Sequence, residues 1–267
     1  MEKIYKTHPE INKDFLISNW VNTPRSLREI ALEMNVSESL LERRARTYGV
    51  TKHRKYSINE ERLFDVHDPN VWYLAGLIAT DGYTNTNADF IAITMVGDSE
   101  KKLLHDICSY FEISAPVAEY HTSNLVKYSL RISAKGIKAF FSENFGITEQ
   151  NKTFTVDVPS VIISKDCLKA YILGCFDGDG CISHIKEGHP SVRVTTASEK
   201  FIRGLMQLIQ SYFNVDVYYS IANHKYPTMG VYGKKNVLNL LNEVYSNSGC
   251  LKLDRKYEKY QLVKDIV

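Results

Sequence analysis

Leu74-Ala-Gly-Leu-Ile-Ala-Thr-Asp-Gly82 and Ile172-Leu-Gly-Cys-Phe-Asp-Gly-Asp-Gly180 are one nine-residue pattern written twice. Each is an apolar run with glycine in third place, and each ends in Asp-Gly. The penultimate aspartates, Asp81 and Asp179, stand 98 residues apart, the span of a small domain. A repeat that delivers one carboxylate per copy predicts two related halves that meet and share one site.

Taken as helices, the copies explain their own glycines. In the second, Ala170, Gly174 and Gly178 recur every four residues and form one small-residue stripe. The first has Gly76 and Thr80 at the matching places, with Ala75 and Ala79 beside them. Such stripes let two helix backbones approach closely, which would bring Asp81 and Asp179 together at the C-terminal ends. A carboxylate there faces the negative end of the helix dipole, at a cost of roughly 0.3–1 kcal/mol, and two such ends repel. Local rules broken twice in matching places point to function. Divalent cations would compensate, and carboxylates with open positions suit Mg²⁺, which supports phosphoester hydrolysis. A single Asp-Gly is an ordinary helix stop with glycine in the left-handed region; two in matching context are not.

Downstream of each motif the same order returns. An alternating segment (Phe90–Thr94; Val192–Thr196) is followed by a helix (Ser99–Phe111; Glu199–Phe213). A further strand (Tyr128–Ser133; Thr228–Tyr232), a lysine turn (Lys135; Lys234 and Lys235) and a closing helix complete each copy. The expected fold class is α+β, with two pseudo-symmetric α-β-β-α-β-β-α halves at residues 68–160 and 164–267, joined by a short link containing Pro159.

Residues 1–62 stand apart. Thr23-Pro24 reads as a helix start, with Leu27, Ile30, Ala31 and Met34 at helical spacing. Asn35-Val36 makes a turn, Ser37 caps a second helix, and Gly49 stops it. This is the helix-turn-helix pattern. Arg43, Arg44 and Arg46 on the second helix, with Lys52, Arg54 and Lys55 after it, predict DNA contact.

Composition sets bounds. The chain has 267 residues, 44% of them hydrophobic, and a net charge of +2, so nucleic-acid binding depends on where the basic groups sit. Five cysteines without a CxxC pair exclude a zinc ribbon and read as reduced thiols of a cytoplasmic protein. The N-terminus has no apolar signal-like region, and nothing approaches the ~18 apolar residues of a membrane span.

Over residues 68–267 the chain resembles the LAGLIDADG homing endonucleases in their single-chain, two-motif form. The resemblance implies that Asp81 and Asp179 bind catalytic Mg²⁺ (Mn²⁺ substituting), with the carbonyls of Thr80 and Gly178 joining the metal shell. It implies a basic residue late in each half beside the scissile phosphate, matched here by Lys152 and Lys252. It implies a monomer acting as a pseudo-dimer, with a saddle of two antiparallel sheets on the major groove of double-stranded DNA. Strand alternation then puts Arg131 with Ser129 and Ser133, and Arg193 with Ser191 and Thr195, on the DNA side. Lys135 and Lys234 lie near by in sequence. One departure is Ala79, where the motif carries its first aspartate and the second copy keeps Asp177. The competing expectation is a DNA-binding regulator, or less readily an RNA maturase, that keeps the fold without cleavage. A self-splicing intein is not the expectation, since no N-terminal Cys or Ser nucleophile and no terminal His-Asn pair are seen.

Overall fold

A computed structural model describes residues 8–23, 25–51, 56–84, 89–122, 125–148 and 152–266. The chain divides into two compact units, Met1–Lys55 and Tyr56–Val267. The first unit closes before residue 62 because the following segment belongs to the second core. Ser57 O accepts from Ser114 N at 3.0 Å, and Asn59 N donates to Phe111 O at 2.9 Å. Leu63, ending α4 (Glu60–Leu63), is fully buried there.

In the first unit, α1 (Lys13–Leu16) runs into a π-helical turn, Ile17–Val21, followed by α2 (Leu27–Glu33) and α3 (Glu38–Tyr48). Ser26, not Thr23, caps α2, in a reciprocal capping box with Glu29 that satisfies two orphan backbone donors. Pro24 lies outside the described residues. Ser37 accepts from Leu40 N, and Gly49, at φ +62°, ends α3 in the left-handed conformation that glycine adopts without strain. Ile11, Leu16, Ile30, Ala31, Leu41, Ala45 and Val50 form the core between these helices.

The second unit contains both repeats. In the first half, α5 (Pro69–Asp81), β1 (Gly82–Thr84), β2 (Ile91–Val96), α6 (Asp98–Tyr110), β3 (Ala118–His121), β4 (Val126–Ile132) and α7 (Ile137–Phe145) follow the predicted order. A short helix, α8 (Lys152–Thr155), leads to the second half. There α9 (Lys165–Asp179), β5 (Gly180–Ser183), β6 (Ser191–Thr195), α10 (Glu199–Phe213), β7 (Tyr218–Ala222), β8 (Tyr226–Tyr232) and α11 (Lys234–Val244) repeat it. Asp68 and Ser164 cap the two motif helices through their side chains. The sheets run β1-β2-β4-β3 and β5-β6-β8-β7, antiparallel throughout. Alternate strand residues such as Ile91, Ile93, Leu130 and Ile132, or Val192, Val194, Met229 and Val231, are buried beneath the helices. This leaves one polar outer face per sheet.

One helix has no counterpart in the repeat. α12 (Asp254–Asp265) follows α11 and buries Lys256, Tyr260 and Val263, a helical stripe whose first member is a lysine. The halves also exchange their closing segments. Val156 O accepts from Ser198 Oγ of α10 at 3.0 Å, and Asp157 pairs with Lys200 at 2.6 Å. Reciprocally, Arg255 N donates to Ser99 Oγ at 3.2 Å, and the Arg255 guanidinium pairs with the buried Glu100 of α6 at 2.5 Å. Among the described residues no helix is long and apolar enough to cross a membrane.

Candidate active site and nucleic-acid interface

The motif helices α5 and α9 pack backbone to backbone. A Cβ on Gly76 would lie 2.8 Å from Cys175 N and collide with Tyr171 O. A Cβ on Gly174 would lie 2.9 Å from Leu77 N and collide with Tyr73 O. The reciprocity is that of a pseudo-two-fold axis between the helices. Further along, Gly178 has room only for hydrogen, since a Cβ there would strike Thr80 Oγ1 and sit 3.3 Å from Asp81 Oδ2. The small-residue stripe thus brings Asp81 against the last turn of α9. The closing glycines do not take the left-handed conformation of an ordinary helix stop. Gly82 (φ −77°, ψ 153°) and Gly180 (φ −79°, ψ 147°) are extended and enter β1 and β5 directly. They are small because a Cβ on Gly82 would lie 2.5 Å from Ile78 O, with Phe176 O crowding Gly180 in the same way.

Asp81 is half-buried and Asp179 exposed. Asp179 lines a cavity of about 330 Å³ whose other walls include Ala79 and Thr80 from the first half and Thr195, Thr196 and Tyr226 from the second. Thr80 Oγ1 is turned back on its helix, donating to Gly76 O and Leu77 O at 3.1 Å each. Its main-chain carbonyl and that of Gly178 stand in the same last turns. Asp81, Asp179 and these carbonyls are oxygen donors, the type a hard cation such as Mg²⁺ takes; among the described residues no group of three or more His, Cys, Asp or Glu is placed to hold a metal ion.

Lys256, which the sequence alone does not single out, supplies the positive charge at this end. Its Nζ donates to the carbonyls of Phe176, Asp177 (2.7 Å) and Gly178 (3.1 Å), capping the negative terminus of α9. Burial pulls its pKa down to about 8, while Asp177, Asp81 and Asp179 pull it back up. Asp177, wholly buried, accepts from Tyr73 OH at 2.8 Å and Leu253 N at 2.7 Å, and burial pushes its carboxyl up to about 7. It ties α5, α9 and the start of α12 together, a role that Ala79 at the matching place in the first motif does not share. Lys252 has its Nζ 5.1 Å from the centre of the Tyr257 ring. Lys152 opens α8, and its side chain lies outside the described residues.

The outer sheet faces carry the predicted arginines. Arg131 and Arg193 are both exposed, flanked by Ser129 and by Ser191 and Thr195. Arg131 lies over the Phe90 ring, 3.6 Å from its centre. Lys135 is exposed in the turn before α7. Lys234 is committed within the fold, donating to Ile266 O at the end of α12 (2.9 Å). In the first unit Arg43 and Arg46 are exposed, Arg46 facing Glu42 at 3.9 Å. Arg44 corrects the sequence expectation. It is 1% exposed and donates to His8 O and to Ile11 O (2.8 Å), because a helix period turns residue 44 inward beside Leu41 and Ala45. It is a structural residue. Lys52, Arg54 and Lys55 lie outside the described residues.

Residues 166–245 match the model of the LAGLIDADG-like domain. Among curated proteins nothing matches the sequence. The chain is similar in structure to the homing endonuclease I-WcaI bound to its DNA recognition sequence, at 15% identity, TM-score 0.54, and coverage of 72% of this chain and 85% of that one. It is similar to the meganuclease I-SmaMI bound to uncleaveable DNA, at 15% identity, TM-score 0.50, and coverage of 74% and 90%. It is also similar to full-length DUF199/WhiA from Thermatoga maritima, at 12% identity and TM-score 0.51, covering 78% of this chain and 66% of that one. Residues 166–245 therefore match a LAGLIDADG-like domain, and the fold of these solved structures is present with both of its halves in one chain.

Proposed function

We propose that the chain is a sequence-specific, divalent-metal-dependent endonuclease of the homing type, hydrolysing both strands of a double-stranded DNA site as a monomer with two pseudo-equivalent halves. The observation that carries this reading is the convergence of Asp81 and the last turn of α9 at the seam of two sheets that each present an exposed arginine. Asp81, Asp179 and the carbonyls of Thr80 and Gly178 would hold Mg²⁺, with Mn²⁺ as substitute. When bound, the metal supplies Lewis acidity at the scissile phosphate. The chain's own residues do the rest. The crossed glycine stripe fixes the spacing of the two carboxylates. Asp177 and Lys256 hold the end of α9 in place, and Lys256 adds a positive charge where phosphate would arrive. The sheet faces orient the duplex. Arg43 and Arg46 on α3 add a second DNA contact from the helix-turn-helix pattern of the first unit.

A second reading, a DNA-binding regulator without cleavage, draws on Lys256. Its ammonium caps the end of α9 and is drawn on by both Asp81 and Asp179, so part of their charge is offset without metal. Incubation with a randomised DNA library in Mg²⁺ and in Ca²⁺, capturing cut ends and bound fragments, separates the two. Cleavage at one long site in Mg²⁺ alone establishes the endonuclease, and tight binding without cleavage establishes the regulator.

A further inference from the structure

The cavity at Asp179 has a wall residue that the motif does not supply, and strand register identifies its counterpart in the other half. Gly82 pairs with Ile93 and Ile93 with Leu130, just as Gly180 pairs with Val194 and Val194 with Met229. Leu130 and Met229 therefore hold the same place in β4 and β8. Three residues earlier stand Lys127 in the first half and Tyr226 in the second. Tyr226 opens β8 on the face it shares with Thr228. It lines the cavity of about 330 Å³ together with Asp179.

The frame around this position is shared by the two halves. Thr94 Oγ1 donates to Ser129 Oγ at 2.9 Å, and the hydroxyls of Thr195 and Thr228 lie 2.9 Å apart at the matching place. Thr228 Oγ1 spends its hydrogen on Tyr226 O at 3.2 Å, so Thr195 is the donor of that pair. Thr196 N donates to Pro227 O at 3.2 Å, and the proline ring fixes its own φ. The backbone at Tyr226 is thus pinned, and the halves differ here in side chain. Two other hydroxyls of the cavity wall are used within the fold, Thr80 on Gly76 O and Leu77 O and Thr195 on Thr228. The Tyr226 phenol has no such bond among the described residues, and the residue is 37% exposed. A phosphate brought beside Asp179 meets a like charge, and a donor on the facing wall offsets it; bonds to ionised oxygens are roughly twice as strong as neutral ones.

We infer that Tyr226 is a substrate-contacting residue of the Asp179 site, donating its phenolic hydrogen to a non-bridging oxygen of the phosphate there, and that Lys127 holds the corresponding phosphate on the Asp81 side. The inference rests on the endonuclease reading above and deepens it. One chain meets its two strands with different donors, a neutral phenol in one half and an ammonium in the other.

The test is single-turnover cleavage in Mg²⁺ of a duplex carrying the selected site, with each strand labelled separately, and affinity measured in Ca²⁺. Tyr226→Phe in the full chain should slow one strand by roughly 10- to 100-fold, the loss of one hydrogen bond to a charged group. The other strand, the affinity and the melting temperature should stay close to those of the parent, so that nicked duplex accumulates. Lys127→Met should slow the opposite strand. Tyr226→Lys gives both halves the same donor and should restore the strand that Tyr226→Phe slows. Equal slowing of both strands by Tyr226→Phe, or no slowing of either, overturns the inference and leaves the endonuclease reading standing. Failure of the unaltered chain to cut a site that it binds overturns the endonuclease reading itself, and this inference with it.

Discussion

Tyr73, on the motif helix of the first half, donates its hydroxyl at 2.8 Å to Asp177, on the motif helix of the second. The bond crosses the pseudo-two-fold axis and has no mirror image, because the residue matching Asp177 in the first motif is Ala79. The same carboxylate accepts from Leu253 N, so one buried group links both halves and the extra helix α12. The catalytic candidates Asp81 and Asp179 thus stand on a scaffold that is symmetric in backbone and asymmetric in polar wiring.

The asymmetry has a pH signature, best read in the presence of chelator so that no metal contributes. Native Asp177 keeps its proton up to about pH 7, whereas an unfolded aspartate releases it near 3.8. Between these values the folded chain binds more protons, so stability falls as pH rises through the window. Lys256 works the other way, since its native pKa of about 8 lies below 10.5 and stability recovers across that interval. Thermal melts should therefore show a minimum between about pH 7 and 8. Asp177→Asn should flatten the acid limb; an acid limb of unchanged slope in that variant would show that another group titrates.

Asp81→Asn and Asp179→Asn should abolish double-strand cleavage and leave affinity for the selected site within a few-fold in Ca²⁺. Both carboxylates are at least partly exposed at helix ends, so the variants should melt no lower than the parent. Removing a negative charge from a helix C-terminus is favourable by roughly 0.3–1 kcal/mol. Electrophoretic mobility shift beside a cleavage assay decides it. Lost binding with retained hydrolysis would remove the two aspartates from the chemistry.

Lys252 and Lys256 should separate cleanly. Lys256→Met strips the cap from three carbonyls at the end of α9, and each buried acceptor left unsatisfied costs about 1–3 kcal/mol. Lys252→Ala loses only a partly exposed contact with the Tyr257 ring, worth about 0.5–1 kcal/mol. Denaturant midpoints measure both, and equal losses would mean that the capping geometry at α9 carries no stability.

Gly76→Ala and Gly174→Ala should each destabilise the second unit by roughly 3 kcal/mol or more, beyond the usual surface effect, because the added methyl meets main-chain atoms that cannot rotate away. Gly136→Ala, at an open turn position with φ +80°, should cost less, about 1 kcal/mol of backbone strain. Urea titrations of the three proteins test the ranking.

The repeat, the helix crossing and the outward faces of the strands were legible because each rests on a period: four along a helix, two along a strand, 98 along the chain. Lys256 was not. It begins the buried stripe of α12 that continues through Tyr260 and Val263, and a lysine in an apolar stripe looks like the end of the pattern. Gly82 and Gly180 are extended, not in the left-handed conformation of an ordinary helix stop. The constraint on them is close approach to Ile78 and Phe176, and that is visible only once the strand leaves the helix.

Arg44 was assigned to DNA from its place in a basic run, and the same helix offers the control. Arg44→Ala removes two hydrogen bonds from a buried guanidinium to the carbonyls of His8 and Ile11. It should cost about 2–3 kcal/mol in the stability of the first unit. Arg43→Ala and Arg46→Ala remove exposed side chains, one of them in a 3.9 Å surface pair with Glu42, and should leave the melting profile within about 0.5 kcal/mol. If α3 contacts the DNA backbone, each of these two should instead flatten the dependence of log affinity on log salt by about 0.9. Fluorescence anisotropy with the full chain at several salt concentrations reads that slope. An unchanged slope in both variants, with intact binding by the sheets, would confine DNA contact to the second unit.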